Sequence, residues 1–151
     1  EFRRVLFRSV PVRFHSVQNG LELVSSGIVG VHDGARPFAS VELIKMCYEN
    51  ADKLKAVVPV VDSTDSLRQL TSDGNSKIID RQTIKMVQTP QVFTADVLKK
   101  AYEAAYTDSF TDDASVVEAT GVKIHLVEGE VTNIKVTTPL DLKIGEAILT
   151  M

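Results

Sequence analysis

The chain reads as an α/β protein, a parallel or mixed sheet covered by helices on both faces. Continuous apolar runs at 28–32 and 56–61 are short, as strands buried on both faces are. Segments with helical recurrence, near 41–52 and 95–105, alternate with those runs. At 151 residues, 44% hydrophobic and 25% charged, the chain suits one ordinary globular domain.

Residues 1–12 scatter Arg3, Arg4 and Arg8 among Val and Phe with no period, and are read as a non-native or misjoined start. The domain is expected over 13–151. A helix of modest propensity is expected near 15–24, then the strand at 28–32, the helix at 41–52 and the strand at 56–61. The helix at 95–105 places Val97, Leu98, Ala101, Tyr102 and Ala105 on one face. A short helix after Thr111 is followed by strands at 123–127 and 133–136. Thr138 caps the last helix with Pro139 in its first turn, and Leu140, Ile144, Ala147 and Ile148 form its apolar stripe.

Residues 62–88 interrupt the alternation. The run S-D-G-N at 72–75 marks a turn between two mixed polar and apolar segments, which predicts a β-hairpin arm. An isolated two-stranded hairpin is marginal in water. The arm is therefore expected to pack on a partner subunit rather than fold back on its own domain.

A net charge of -3 argues against a general nucleic-acid or anionic-membrane surface, so any phosphate site must be local. No apolar run approaches the roughly 20 residues that span a bilayer, and charges at 1–8 do not fit a signal peptide. The single cysteine, Cys47, excludes an internal disulfide and reads as a packed core thiol on an amphipathic helix. A reducing cytoplasm fits these features.

Four segments hold residues suited to chemistry. In V-H-D-G-A-R-P-F, 31–38, a strand stops on Asp33, Gly34 and Arg36, at the strand end where open α/β sheets place their ligand crevice. An Asp suits a metal or a hydroxyl, and an Arg grips phosphate with paired hydrogen bonds. A solvated turn explains the same residues equally well. In Q-T-P-Q-V-F, 88–93, Thr89 and Gln91 flank Pro90 and suit either a cleft or a plain loop. In T-D-D-A-S, 111–115, Thr111 is expected to cap a helix whose dipole favours the two Asp. Lys135 sits between Ile134 and Val136 in the expected last strand, so it either snorkels to water or faces a polar site beside Asn133. Glycine-rich phosphate loops, a nucleophile elbow and zinc-ligand spacing are all missing from the sequence.

Together with V-E-G-E-V-T-N-I-K-V-T-T-P-L-D-L at 127–142, these motifs closely resemble the 2-C-methyl-D-erythritol 4-phosphate cytidylyltransferases of the non-mevalonate isoprenoid pathway. The likeness runs in order from about 13 to 149. It implies a Rossmann-like nucleotidyltransferase sheet and a cytoplasmic homodimer joined through the β-arm. It also implies transfer of CMP from CTP to the polyol phosphate with release of pyrophosphate and use of Mg2+. By the same likeness Lys135 is catalytic, Asp33 binds metal and substrate, and Gly34 lies against the nucleotide. Arg36, Thr89 and Thr111 contact the substrate, while Arg81 and an arm serine reach it across the dimer. Ser66 fits that serine better than Ser63, and Ser16 matches a cytosine-side serine with Arg13 ahead of it.

The family opens with a strand and a glycine-rich loop that cradles CTP, and neither is found ahead of Arg13, where Val10, Pro11 and Val12 replace the glycines. Loss of the first strand implies an open apolar sheet edge. Two rivals stand beside this reading: a cytidylyltransferase for another polyol phosphate, such as ribitol 5-phosphate, and a non-catalytic remnant that dimerises through its arm.

Overall fold

The computed structural model describes residues 12–150. The expected non-native start, apart from Val12, lies outside the described residues.

Strand β2 (Ala56–Asp62) organises the sheet, because its first five residues are buried and both its edges are paired. Val57 pairs with Val92 of β6 (Gln91–Thr94) and with His125 of β7 (His125–Glu128), so those strands lie on opposite edges. Val60 pairs with Val87 of β5 (Lys85–Val87) and with Glu128, which puts β5 and β6 in line along one edge. Pro59 has no N–H to offer where residues 88–90 join those two strands, and its carbonyl accepts from the Gln88 N–H at 2.8 Å. Strand β1 (Ile28–Val31) pairs antiparallel with β6. The sheet is thus mixed, and β2 with β7 is its parallel pair among the described residues.

Alternation along β6 and β2 distributes the core to two faces. Val92 and Val57 pack with Leu43, Cys47 and Ala51 of α2 (Val41–Leu54). Phe93 and Ala56 pack on the other face with Phe14 and Leu21 of α1 (Arg13–Leu21). Leu98 and Ala101 of α3 (Ala95–Ala101) and Val116 and Val117 of α4 (Asp113–Glu118) complete that side. Two-sided covering agrees with the apolar strands read from the sequence.

The arm is a hairpin of β3 (Leu67–Leu70) and β4 (Ser76–Ile79), paired from Leu67 with Ile79 to Leu70 with Ser76. Gly74 takes a positive φ of 82° in its turn, a conformation glycine adopts without steric cost. A 3-10 turn at Arg81–Thr83 returns the chain to β5.

Four expectations need correction. The segment 133–136 is not a strand, because the Asn133 N–H turns back to Glu130 O and the Ile134 N–H to Thr132 O. Asn133 is buried and Lys135 half exposed, so they do not share a strand face. Helix α4 is capped by Asp112, which exchanges hydrogen bonds with Ser115 in a capping box, and not by Thr111. Helix α3 ends at Ala101, short of the expected 105. Finally, α5 (Pro139–Leu149) keeps its Thr138 cap, but Leu140 and Ile144 of its stripe stay 65% and 42% exposed. The helix packs on the Phe38 ring through buried Gly145 instead, so closely that a Cβ there would come 2.7 Å from it.

Candidate active site

The Asp33 carboxylate is the centre of the site. Strand β1 delivers it at its carboxyl end, and Thr89 Oγ1 accepts the Asp33 N–H at 3.0 Å. The same hydroxyl lies 3.0 Å from His32 Nδ1, while His32 Nε2 lies 2.8 Å from Arg36 O. A carbonyl only accepts, so in a neutral ring the proton sits on Nε2 and Thr89 donates to Nδ1. Thr89 is 4% exposed, and its hydroxyl is committed to this relay.

Three cations surround that carboxylate. Lys135 Nζ stands 3.1 Å from Asp33 Oδ2, Arg36 Nε 3.6 Å from the same oxygen, and Arg13 Nε 3.6 Å from Oδ1. Burial opposes the charged form of Asp33. Hydrogen bonding and charge from Lys135, then Arg13 and Arg36, outweigh it and hold the carboxyl below its ordinary value. Arg36 is also tied to backbone, donating to Asn133 O at 2.8 Å and Val87 O at 3.3 Å. Gly34 faces open space.

Lys135 comes from a loop that side chains hold in place of a strand ladder. The Gln88 amide accepts from Glu130 N at 3.1 Å and donates to Glu130 O at 2.8 Å and Asn133 O at 3.3 Å. Asn133 Nδ2 donates to Thr89 O at 2.9 Å. The Glu130 carboxylate accepts from Ser40 N and Ser40 Oγ at the start of α2. The Val136 N–H reaches Ala35 O at 2.8 Å, joining the end of the loop to the Asp33 turn.

Arg13 is positioned by Asp113, which is fully buried and also accepts from Tyr102 OH at 2.6 Å. The Arg13 Nη2 to Asp113 Oδ2 distance is 2.5 Å. Ser16 lies three residues further along α1, and Thr111 is exposed on a small cavity lined also by Arg13 and Asp112. Gln91 does not face a cleft. It is buried, accepting from Ala114 N and donating to Asp112 Oδ2, both at 2.8 Å, so it holds the N-terminus of α4 from below.

A cleft of about 830 Å³ opens between β2, β5 and β7, with Arg36, Gln88 and Lys135 in its wall. Asp62 and Lys85 pair at its mouth. At the base of the arm Arg81 donates to Thr64 O at 2.6 Å, Ser63 is buried with its hydroxyl on Asp65 O, and Ser66 is exposed. The structure thus gathers Asp33, Arg36, Thr89 and Lys135, while Arg81 bonds within the arm and Ser66 is exposed there. Among the described residues no three His, Cys, Asp or Glu side chains are grouped to hold a metal ion, which leaves the Asp33 carboxylate as the acidic group of the site.

Sequence reasoning missed Gln88, Asn133, Asp113 and His32. All four act through backbone atoms or other side chains, and no spacing rule marks such roles. The signal available was polarity inside apolar runs, as with Asn133 next to Ile134.

Known proteins share much of this sequence and its fold. The chain is 59% identical over 138 residues to a 2-C-methyl-D-erythritol 4-phosphate cytidylyltransferase of Bacteroides thetaiotaomicron, covering 91% of this chain and 63% of the relative. A Porphyromonas gingivalis protein of the same description is 46% identical, again with 91% and 63% covered. The crystal structure of the Thermus thermophilus cytidylyltransferase superposes with a TM-score of 0.84 at 34% identity, over 96% of this chain and 73% of that one. A 4-diphosphocytidyl-2C-methyl-D-erythritol synthase from Anaerococcus prevotii gives 0.86 at 31%, over 98% and 68%. The chain therefore spans a little under two thirds of the length of those curated relatives. With the family model for IspD, 2-C-methyl-D-erythritol 4-phosphate cytidylyltransferase, matched across residues 8–151, the chain belongs to that family.

Proposed function

We propose that the chain is the larger part of a cytidylyltransferase that moves CMP from CTP to 2-C-methyl-D-erythritol 4-phosphate and releases pyrophosphate. The observation that carries this reading is the convergence of Lys135, Arg36 and Arg13 on the Asp33 carboxylate at the end of β1. Three cations held on one internal anion form a site prepared for phosphate.

A phosphate oxygen of the polyol attacks the α-phosphorus of CTP. The new P–O bond forms as the bond to the β-phosphate oxygen breaks, and its electron pair leaves with pyrophosphate. No protein nucleophile is required, because such transfers depend on positioning and charge stabilisation. Lys135 neutralises charge building on the α-phosphate, and Arg36 and Arg13 orient the substrates. Gly34 leaves room for the nucleotide, with Ser16 on the cytosine side and Thr111 beside Arg13. Thr89 contributes by holding Asp33.

Magnesium is the metal this reading calls for. One carboxylate fits it, since Mg2+ commonly takes one or two carboxylates and completes its shell with water and substrate phosphates. Asp33 would hold the ion, which when bound adds positive charge against the phosphates.

The arm is the proposed dimer contact. Leu70 and Ile78 on β3 and β4 are 81% and 74% exposed, an apolar surface suited to a partner subunit. Ser66 and Arg81 would reach the partner's polyol phosphate from there, and the exposure of Ser66 favours it over buried Ser63. The proposed substrates are cytoplasmic metabolites, so the protein is proposed to work in the cytoplasm. Pyrophosphate release, with CTP and a panel of polyol phosphates, tests this function in the protein at its relatives' full length. The 4-phosphate of methylerythritol should be the preferred acceptor, and equal turnover of ribitol 5-phosphate would contradict the assignment.

A further inference from the structure

The two sides of the Lys135–Asp33 pair meet at the Gln88-Thr89 segment. Thr89 holds the Asp33 N–H through its hydroxyl and holds Asn133 through its carbonyl. Its neighbour Gln88 holds the backbone of Glu130 and Asn133 through both ends of its amide. Between the Gly129 N–H on Val60 O and the Val136 N–H on Ala35 O, no strand ladder fixes the loop. Gln88 and Asn133 are 5% and 0% exposed, so water does not compete for their amides. The buried Asn133 Oδ1 has no partner among the described residues. Such an acceptor is costly to keep, and Asn133 keeps it while Nδ2 bridges to Thr89.

We propose that Gln88 and Asn133 are positioning residues that set Lys135 in register with Asp33 through the Thr89 segment. The proposal rests on the reading of Lys135 as the cation of the transfer step. Misplacement of a reacting group by about 1 Å can cost about a hundred-fold in rate. A loop freed of its amide anchors is therefore expected to lose kcat while substrate affinity changes little.

A double-mutant cycle on kcat tests it, using Gln88→Met, Lys135→Ala and the pair, in the protein at its relatives' full length with CTP and the methylerythritol phosphate. Gln88→Met should lower kcat by about 10- to 100-fold with little change in KM, and should have almost no further effect once Lys135 is gone. Gln88→Leu likewise removes both ends of the amide without placing a charge against the Glu130 and Asn133 carbonyls, so it should repeat the pattern and serves the same cycle if Gln88→Met does not fold. Asn133→Ser should repeat the pattern. An unchanged kcat, or an equal loss in both backgrounds, overturns the positioning role. Near-normal turnover by Lys135→Ala instead overturns the reading of Lys135 beneath it, and the two failures appear in different arms of the cycle.

Discussion

The Lys135 ammonium lies 3.1 Å from the Asp33 carboxylate, although the two come from opposite ends of the domain. In the proposed transfer a substrate phosphate would take the place of that carboxylate as partner for the lysine. The pair thus keeps a flexible, strongly hydrated cation ordered until substrate arrives.

Breaking the Arg13–Asp113 pair should cost different amounts from its two sides. Arg13→Met strands a fully buried carboxylate with Tyr102 as its remaining donor, and about 3–5 kcal/mol of stability should be lost. Asp113→Asn leaves an arginine that is 40% exposed and can turn to water, so about 1–2 kcal/mol is expected. Urea titration of both variants measures the order, and a larger loss for Asp113→Asn contradicts it.

Gln91→Leu should destabilise the protein by about 2–4 kcal/mol, since it orphans the buried Ala114 N–H and removes a donor from Asp112. Denaturant unfolding checks this, and a change within about 0.5 kcal/mol would show that α4 does not depend on the amide.

Gly129→Ala tests the same loop sterically. Its Cβ would overlap Gln88 Oε1 and come 3.0 Å from Val60 O, a backbone atom that cannot swing away. A loss of about 1–3 kcal/mol is expected, together with reduced turnover, because the displaced amide is the one that anchors the Lys135 loop. Unchanged stability and turnover would argue against this packing.

The pH dependence follows from Cys47. Burial, with the Glu130 charge second, pushes its thiol from 9.0 up to about 11. The folded value lies above the unfolded one. Its contribution is therefore complete below about pH 9 and is lost as pH rises through about 11. The stability lead of the native protein over Cys47→Ala should shrink by about 3 kcal/mol across that window, as read by urea titration at several pH values. A constant lead contradicts the burial argument.

Most of the fold was legible because its signals are local. The apolar run at 56–61, the Thr138-Pro139 start of α5 and the glycine in the arm turn each carry their own physics. The last expected strand failed because Ile134-Lys135-Val136 has strand composition, while the Asn133 and Ile134 amides bond back within their own loop. The stripe on α5 misled in another way, since an apolar face in sequence does not say whether anything covers it. Asp33, Arg36 and Lys135 were legible as charges placed against apolar runs. Asp113 was not, because an acid at a helix start is explained by the dipole alone, and only the tertiary structure brings Arg13 and Tyr102 onto it.

Lys135→Ala provides the most direct test of the proposed activity. With CTP, magnesium and the methylerythritol phosphate, pyrophosphate release by the full-length protein should fall by about a thousand-fold or more, with the circular dichroism of the fold unchanged. Turnover within about ten-fold of the parent, a difference of only about 1.4 kcal/mol in the barrier, would contradict Lys135 as the cation of the transfer step.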